Sequence, residues 1–353
     1  MKGRHIILGQ LLGREAAALL VDGQLTDLIA DPGELASLRP GAICRGVTER
    51  LMKGQGGVFV RLPDGQRGYL RDRNGVSEGQ PMLVQVSGVA DEGKAIPLSH
   101  RLLFRGRHVL VTPGAPGINV SRRIRDPQTR EALEAMGAAA LGTRDYGLIM
   151  RSAAEHADPE DIVAELTPLV ELADQICSET QGAPELLLDA AESWEQAWTE
   201  WADPAPDQID EGEDSFEIHG ILDQLDALSH PRLDLPGGGH AYIEQTRALI
   251  AVDVNTGSDT SPAAALKANL AVARDLPRQL RLRGMGGQVI VDFAPMPKRD
   301  RAPLEQTLRA CFRNEGSETT LIGWTAMGLF ELSRKRDRVP LARLLAQLPA
   351  EAR

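Results

Sequence analysis

Two aspartates in this sequence, Asp253 and Asp292, are of a type and spacing that could do chemistry. Asp253 lies in the apolar run 249–254 and Asp292 in the apolar run 288–293, and short runs of this kind are typical of buried strands. Asn255 follows two residues after Asp253, so the period of two along a strand places both side chains on one face. The pattern predicts polar side chains at matching positions of two strands.

The chemistry open to two such aspartates is the binding of a hard divalent cation. Burying an unpaired carboxylate is costly unless a cation or a basic partner compensates its charge. Mg²⁺ takes one or two carboxylates and leaves positions open for water and phosphate oxygens, which suits metal-assisted hydrolysis; Mn²⁺ is the alternative ion. Asn255 could add a carbonyl ligand or orient a water molecule.

The elements that must position these aspartates are the two strands and a helix predicted between them, over 262–283. Such a strand–helix–strand unit brings the ends of neighbouring strands to one edge of a sheet. The helix carries Arg274, Arg278 and Arg281 at i, i+4 and i+7, with Arg283 beyond, a face suited to contacts with a phosphate polymer. Ion pairs between the aspartates and these arginines explain the spacing equally well.

The charge of the chain is unevenly distributed. Over 353 residues, 39 Lys and Arg stand against 50 Asp and Glu, a formal net charge of −11 that at first speaks against a nucleic-acid partner. Residues 152–231, the acidic stretch, hold 22 acidic side chains and no Lys or Arg, which leaves the rest of the chain basic. Within that basic part, 95–125 contains six arginines and no acid, either a phosphate-binding footprint or a solvated basic face.

The region 40–103 shows five short apolar runs separated by glycine-rich turns, which predicts a small barrel of the oligonucleotide-binding kind. Phe59 and Tyr69 fall on adjacent predicted strands, where they could stack on bases, with Arg67 and Lys94 nearby for phosphates. The alternative is that the two rings fill the core of the barrel.

Other segments carry simpler signals. A hairpin is predicted about Asp22 and Gly23, and a hairpin turn over 236–239. A strand predicted over 146–152 ends at Arg151 and Ser152, a guanidinium and a hydroxyl that could hold a terminal phosphate. Helices are predicted over 127–140, 159–177, 184–201 and 215–228.

The acidic stretch has two features of its own. Trp194, Trp198 and Trp201 share one helical face by their spacing, which predicts packing against the body of the protein or a partner-binding face. The proline-rich run 203–214 predicts a mobile acidic loop. Recruitment of a protein partner, or mimicry of nucleic acid, is a further hypothesis for this stretch.

Several classes of protein are excluded. Cys44, Cys177 and Cys311 lie far apart with no paired spacing, which argues against a disulfide framework and a structural zinc site. No apolar run approaches 18 residues, and the N-terminal run is too short for a secretory signal, so we expect a cytoplasmic protein with no membrane partner.

A series of motifs in the C-terminal third resembles, in order, the ribonuclease E/G family. Upstream, 117–124 (GINVSRRI) and 147–152 (GLIMRS) resemble the 5′-sensor segment of that family, and 40–70 resembles its S1-type RNA-binding domain. The C-terminal motifs are 253–255 (DVN), 269–270 (NL), 278–283 (RQLRLR), 286–293 (GGQVIVDF) and 328–334 (GLFELSR).

The resemblance implies an α+β fold of several subdomains. Residues 1–37 and 186–247 would form an RNase H-like subdomain in two parts, with an S1-type OB barrel inserted over 38–105. A 5′-sensor-like segment would follow over 106–185. A DNase I-like α/β catalytic subdomain would occupy 248–353.

The resemblance also implies an activity, with roles for particular residues. Asp253 and Asp292 would hold Mg²⁺ with support from Asn255, for hydrolysis of single-stranded, A/U-rich RNA to 5′-phosphate and 3′-hydroxyl products in RNA processing and decay. A non-catalytic S1-type RNA-binding protein is the alternative. The 5′-phosphate would be bound by Gly117, Val120, Arg151 and Ser152. The remaining RNA contacts would be Phe59, Arg67, Tyr69, Lys94, Arg122, Arg123, Arg278, Arg281 and Arg283.

Some positions depart from the family pattern. The sequence ends at Arg353, before the family's zinc-binding link and small domain, so we expect no zinc and any homo-oligomer to be held together without it. Pro277 is expected to kink the predicted helix, and Pro295 follows Asp292 where the family tends to carry a second acid. The acidic stretch is expected to repel RNA.

Overall fold

The computed structural model describes residues 2–51, 56–72, 75–201, 203–313 and 315–347. The chain divides into two compact units, Met1–Gly23 with Ile29–Gly212, and Gln24–Leu28 with Glu213–Arg353. The described residues form a mixed α+β structure with four sheets, one of them closed into a five-stranded barrel. The predicted fold class, α+β in several subdomains, is confirmed.

The first sheet begins with three successive strands, and the predicted hairpin at Asp22 and Gly23 is confirmed. Both turn residues have positive φ, 51° and 80°, as a two-residue turn between twisted strands requires. Ile6, Leu8 and Leu19 are buried in its core. The strands are β1 (Arg4–Leu11), β2 (Arg14–Val21) and β3 (Gln24–Ala30).

The predicted barrel is confirmed, with five strands in the order β4-β5-β6-β8-β7 and closure of β7 onto β4. Alternate side chains such as Val58, Val60 and Leu70 fill its core, as the period of two demands. The strands are β4 (Ile43–Leu51), β5 (Val58–Arg61), β6 (Arg67–Leu70), β7 (Pro81–Val86) and β8 (Ile96–Ser99).

A third sheet, with the order β11-β12-β10-β9, carries two helices. Its strands are β9 (Phe104–Arg105), β10 (Val109–Pro113), β11 (Gly117–Val120) and β12 (Tyr146–Met150). Helix α1 (Pro127–Leu141) starts where the Asp126 carboxylate accepts a hydrogen bond from the Thr129 amide and ends at Gly142, whose φ is 58°. Helix α2 (Pro159–Ser178) buries Ile162, Leu166 and Val170 at a spacing of four. Both helices match their predictions.

Two predictions within the acidic stretch are wrong. The predicted helix over 184–201 contains strand β13 (Glu185–Leu188), antiparallel to β4, and only a short helix, α3 (Ser193–Glu200). The predicted loop over 203–214 contains strand β14 (Gln208–Glu211), which pairs in parallel with β1. In both places a distant strand supplies backbone partners, and such tertiary pairing overrides local composition.

The second unit contains a six-stranded sheet with the order β15-β16-β17-β18-β20-β19, in which β17 and β18 are parallel. Val252, Val289 and Val291 pack on its buried face with Leu276 and Leu280 of α6. The helices are α4 (Ser215–Ile218), α5 (Ile221–Ser229), α6 (Pro262–Leu282), α7 (Arg301–Phe312) and α8 (Leu341–Leu345). The strands are β15 (Arg232–Asp234), β16 (His240–Gln245), β17 (Ile250–Asn255), β18 (Gly287–Asp292), β19 (Thr319–Trp324) and β20 (Phe330–Arg334).

The predicted strand–helix–strand unit is therefore confirmed as β17, α6 and β18, and α6 continues through the buried Pro277. The predicted turn over 236–239 is also confirmed, since Gly237 and Gly238 have φ of 96° and 88° between β15 and β16. Within the described ranges, none of the helices combines the length and the apolar character that crossing a bilayer requires.

Candidate active site

The register of the second unit's sheet brings the two predicted aspartates side by side. Asp253 of β17 is the direct partner of Asp292 of β18. On the other side of Asp253 lies Tyr242 of β16, and beyond it Arg232 of β15. Direct partners on neighbouring strands present their side chains on one face. Arg232, Tyr242, Asp253 and Asp292 therefore form one row across four strands, here termed the cross-strand row.

The row lies on the open face of the sheet. Asp253 and Asp292 are both exposed, whereas Val252, Val254 and Val291, which alternate with them, are buried. The expectation that the two carboxylates are buried is therefore wrong, because strand alternation turns them away from the face that packs on α6. The two carboxylates therefore pay no desolvation cost of burial. A polymer in solution can reach them.

The contacts of the two carboxylates bear on the ion-pair alternative that spacing left open. The Asn255 side-chain amide donates a 2.8 Å hydrogen bond from Nδ2 to Oδ2 of Asp253 and so holds that carboxylate. Among the described residues, no ion pair joins Asp253 or Asp292 to an arginine. Two carboxylates directly opposite one another on neighbouring strands repel each other, and this repulsion destabilises the pair unless a cation lies between them.

The donor set fits a hard divalent cation. Within the described ranges no group of three or more His, Cys, Asp and Glu side chains is placed to hold a metal. The protein can therefore offer two carboxylates at this point, with the Asn255 amide beside them. One or two carboxylates, with water and phosphate oxygens, are the ligands that Mg²⁺ generally takes in proteins.

Arg278 and Arg281 of α6, and Arg283 directly after it, are engaged by the protein's own acceptors. Arg278 bonds to both oxygens of Asp275, at 2.6 and 3.0 Å. Arg281 donates to the Thr26 carbonyl and pairs with Glu315. Arg283 is only 4% exposed and donates to the His230 carbonyl at 2.6 Å, and burial lowers its pKa to about 10.

These contacts engage Arg278, Arg281 and Arg283, whereas Arg274 of the same predicted face is exposed. Ion pairing is thus the arrangement adopted at Arg278 and Arg281, although with partners other than Asp253 and Asp292. Contact of Arg278, Arg281 and Arg283 with RNA stays a prediction, and it requires these internal bonds to be exchanged.

The barrel presents the two predicted aromatic rings together. Phe59 and Tyr69 are direct partners on β5 and β6, with ring centroids 5.5 Å apart. Neither ring is in the buried core, so the alternative that they fill the barrel is wrong. The Arg67 guanidinium lies 3.9 Å from the centroid of Phe59, and Lys94 is exposed and paired with Asp91.

Gly57 is a further residue of this surface that the sequence did not reveal. A Cβ at position 57 would lie 2.3 Å from the hydroxyl oxygen of Tyr69, so only glycine lets the ring take its place. The position of Gly57 in the sequence, directly before β5 and opposite the strand that carries Tyr69, is the signal from which it could have been predicted.

Of the predicted 5′-phosphate residues, Val120, Arg151 and Ser152 lie at one end of the β11–β12 pair, whereas Gly117 lies at the other end, opposite Gly147. Gly117 and Val120 bound β11, which runs parallel to β12, and Arg151 and Ser152 directly follow β12. Gly117 is exposed and Val120 is buried. The Arg151 guanidinium donates from Nη1 to the carbonyls of Gly106 and Thr199, at 2.6 and 2.8 Å, and burial lowers its pKa.

Next to this site, Arg122 and Arg123 are exposed, and Arg123 pairs with Asp203 at 3.4 Å. The Thr199 carbonyl that bonds Arg151 belongs to α3. Part of the acidic stretch therefore already engages two of the cations that were predicted to bind phosphate.

More widely, the acidic stretch supplies counter-charges inside the first unit. Arg45, whose side chain is only 7% exposed, pairs with Glu179 and Glu185. Further pairs are Arg39 with Asp189 and Glu192, and Arg144 with Asp174, while the Glu165 carboxylate lies 2.6 Å from Nδ1 of His108.

The tryptophans of the acidic stretch mostly pack on the body of the first unit. Trp194 donates its ring N–H to the carbonyls of Gly9 and Ala16, and Trp201 is buried, so packing is confirmed for these two. Trp198 is 39% exposed, with the Arg107 guanidinium 5.6 Å from its ring centroid.

The fold and the site define a class of protein: an α+β chain that combines an OB-like barrel with an α/β sheet presenting paired carboxylates. Residues 104–211 and 206–337 match the model of the Ribonuclease E/G family. The chain belongs to this family, as the sequence motifs indicated.

Curated relatives agree with the family match. The chain is 29% identical to "Ribonuclease E" of Nostoc sp. (strain PCC 7120), over 92% of this chain and 54% of the relative. It is 27% identical to "Ribonuclease E" of Synechocystis sp. (strain PCC 6803), over 94% and 57%. It is 26% identical to "Ribonuclease G" of Escherichia coli (strain K12), over 76% and 62%. The chain thus spans little more than half the length of these relatives.

Proposed function

We propose that this protein is an endoribonuclease that hydrolyses single-stranded RNA with the help of a divalent metal ion, Mg²⁺ or Mn²⁺. The observation that carries the proposal is the direct pairing of Asp253 with Asp292 on the open face of the sheet. Membership of the ribonuclease E/G family supports it. The products would be a 5′-phosphate and a 3′-hydroxyl.

In this mechanism Asp253 and Asp292 hold the metal. When bound, the metal ion neutralises charge on the scissile phosphate and lowers the pKa of an attacking water. Asn255 keeps Oδ2 of Asp253 in one orientation through its 2.8 Å hydrogen bond, which would leave Oδ1 as the metal ligand. The exposure of both carboxylates lets a polymer approach without a change in the sheet.

The barrel grips the RNA strand. Phe59 and Tyr69 offer two rings on one surface, and stacking on aromatic rings accepts any base. Arg67 and Lys94 are exposed nearby, and their ion pairs with Glu49 and Asp91 can exchange for phosphate because exposed pairs are weak. The family resemblance adds A/U-rich single strands as the preferred substrate.

Recognition of a 5′-monophosphate belongs to the same proposal. Arg151 and Ser152, with Gly117 and Val120 on the neighbouring strand, would receive the phosphate. Arg151 must then release the Thr199 carbonyl, so we expect a modest preference for 5′-monophosphorylated over 5′-hydroxyl RNA. Parallel cleavage rates on the two RNAs measure it.

A substitution test separates the enzyme from a non-catalytic RNA-binding protein. We expect Asp253→Asn and Asp292→Asn each to lower the cleavage rate at least a hundredfold while RNA affinity stays within about twofold, because the metal is lost but the barrel is untouched. Cleavage of a fluorescent RNA oligomer is measured with Mg²⁺ and with EDTA, and binding by anisotropy.

The matched control is Glu244→Gln, which removes an exposed carboxylate on the same face that lies opposite Ala251 instead of another acid. It should cleave at the wild-type rate. Wild-type protein that binds RNA but gives no metal-dependent products would favour the RNA-binding alternative. A cytoplasmic location, a homo-oligomer without zinc and a protein partner of the acidic stretch stay predictions.

A further inference from the structure

We propose that Tyr242, supported by His240 and Arg232, forms a base-stacking subsite directly beside the paired aspartates. The subsite would take the base of the nucleotide adjoining the scissile phosphate in single-stranded RNA. This inference rests on the proposed function for the identity of its ligand. It concerns residues that the sequence reasoning did not single out, on a surface distinct from the barrel.

The position of the tyrosine follows from the sheet register. Tyr242 is the direct partner of Asp253, and His240 is the direct partner of Asn255. Their neighbours along β16, Ala241 and Ile243, are fully buried, so both aromatic side chains lie on the open face with the aspartates. Strand spacing of about 4.8 Å separates the tyrosine backbone from that of the aspartate.

The ring of Tyr242 is held in place without being covered on both sides. His240 meets it edge to face, with centroids 5.4 Å apart and planes at 87°. Arg232 lies 3.5 Å from its hydroxyl oxygen through Nη1. A single edge contact covers at most one face of either ring. A half-exposed ring with its hydroxyl partnered is suited to receive a base by stacking.

Arg232 adds a cation one strand further along the cross-strand row. Its ion pair with Asp234 involves side chains 47% and 79% exposed, so solvent screens it and a phosphate can replace the carboxylate. The row thus presents, in order, a cation, a ring and two metal-binding carboxylates. This order fits a strand of RNA whose phosphate at the aspartates is followed by a stacked base and the next phosphate.

The test uses RNA decamers carrying one 2-aminopurine, a fluorescent base that stacking quenches, at each position in turn. They are bound, at saturating protein and with Mg²⁺, to the Asp292→Asn variant so that no cleavage interferes. Quenching should be strong at one or two positions. Adding Tyr242→Val should reduce that quenching about threefold or more, whereas adding Tyr242→Phe should preserve it.

The matched control is Tyr69→Val in the same background, which should change quenching only at other positions because its ring lies in the barrel. Tyr242→Thr gives a second strand-compatible variant if Tyr242→Val lowers the melting temperature. Arg232→Gln should reduce the slope of log affinity against log salt by about 0.7, the share of one phosphate contact on a single strand.

The proposed subsite would be overturned if, at every RNA position, adding Tyr242→Val or Tyr242→Thr to the Asp292→Asn variant left the quenching unchanged. The proposed function fails by a different result, namely wild-type protein that yields no metal-dependent cleavage. Because quenching is measured on an inactive variant, the two failures are distinguishable.

Discussion

At the scale of single residues, the site depends on how one carboxylate is oriented. Asp253 has one oxygen bonded to the Asn255 amide at 2.8 Å, and Asp292 faces it across one strand spacing. No described arginine pairs with either aspartate, and the residues alternating with them along the strands fill the core. In the proposed mechanism the asparagine is therefore a positioning residue that acts through Asp253.

We expect Asn255→Ala to raise the Mg²⁺ concentration for half-maximal cleavage by about 10- to 100-fold, the usual effect of losing a group that orients a metal ligand. Raising Mg²⁺ should restore most of the rate, because both carboxylates remain. Titrations of cleavage rate against Mg²⁺ for wild type, Asn255→Ala and Asp253→Asn measure this. An Asn255→Ala enzyme with an unchanged Mg²⁺ requirement would contradict the role.

At the scale of elements, the pairing of β5 with β6 creates the aromatic surface of the barrel that we propose to bind RNA. Direct partnership puts the rings of Phe59 and Tyr69 5.5 Å apart and outside the core. The chain before β5 must also leave space for the tyrosine ring, and Gly57 provides it. The position of the Tyr69 ring therefore depends on the absence of a side chain at Gly57.

We expect Gly57→Ala to weaken RNA binding about as much as Tyr69→Ala does, because its methyl group would displace the ring. Fluorescence anisotropy with a single-stranded RNA oligomer measures the affinity. Gly212→Ala serves as the control, since Gly212 has no heavy atom near the added carbon and no positive φ. Equal RNA affinity of the two glycine variants would show that Gly57 does not set the position of the Tyr69 ring.

A second effect at this scale is the buried charge cluster that joins α6 to β20. Glu315 pairs with Arg281 of α6 and with Arg334 of β20, at 2.8 Å for Arg334, and the side chains of Glu315 and Arg334 are 4% and 2% exposed. Burial lowers the pKa of Arg334 to about 10. The carboxylate therefore compensates two cations that have little contact with water.

Glu315→Gln should lower the free energy of unfolding by about 3–5 kcal/mol, since it removes the anion paired with the buried Arg334 and one of the two carboxylates paired with Arg281. Chemical denaturation followed by circular dichroism measures the change. Glu318→Gln alters an exposed acid three residues away and should change stability by no more than about 0.5 kcal/mol. Similar values for both variants would show that the cluster contributes little.

At the scale of the whole molecule, the uneven charge has a structural use. The acidic stretch holds 22 acids and no Lys or Arg, and five of its carboxylates pair with Arg39, Arg45 and Arg144 of the first unit. A sixth, Asp203, pairs with Arg123. The net charge of −11 therefore says little about affinity for RNA.

We expect Asp203→Asn to raise the affinity for single-stranded RNA about two- to threefold and to steepen its salt dependence by about 0.7, because Arg123 becomes free for one phosphate. Affinity measured between 50 and about 200 mM salt gives both values. Asp214→Asn is the control, since Asp214 has no arginine partner among the described residues. An equal gain from both variants would indicate a general charge effect.

The sequence by itself determined the features that depend on neighbours along the chain. The turn at Asp22 and Gly23, the helices α1, α2 and α6, and the strands that carry Asp253 and Asp292 follow from local signals, and all are present. The family also follows, because its motifs are ordered strings of residues. Local periodicity placed Asp253 and Asn255 on one face, and their hydrogen bond agrees.

Only the tertiary structure decided what depends on pairing between distant segments. Strand β14 forms because β1, some 200 residues earlier, offers backbone partners. The composition of the acidic run 203–214 does not predict this strand. The cross-strand row required the register of four strands, which assigned Tyr242 and Arg232 to the site and turned the aspartates towards solvent. Which face of a strand is buried, and which acceptors an arginine finds, are set by what packs against it, and spacing along one chain segment does not contain that information.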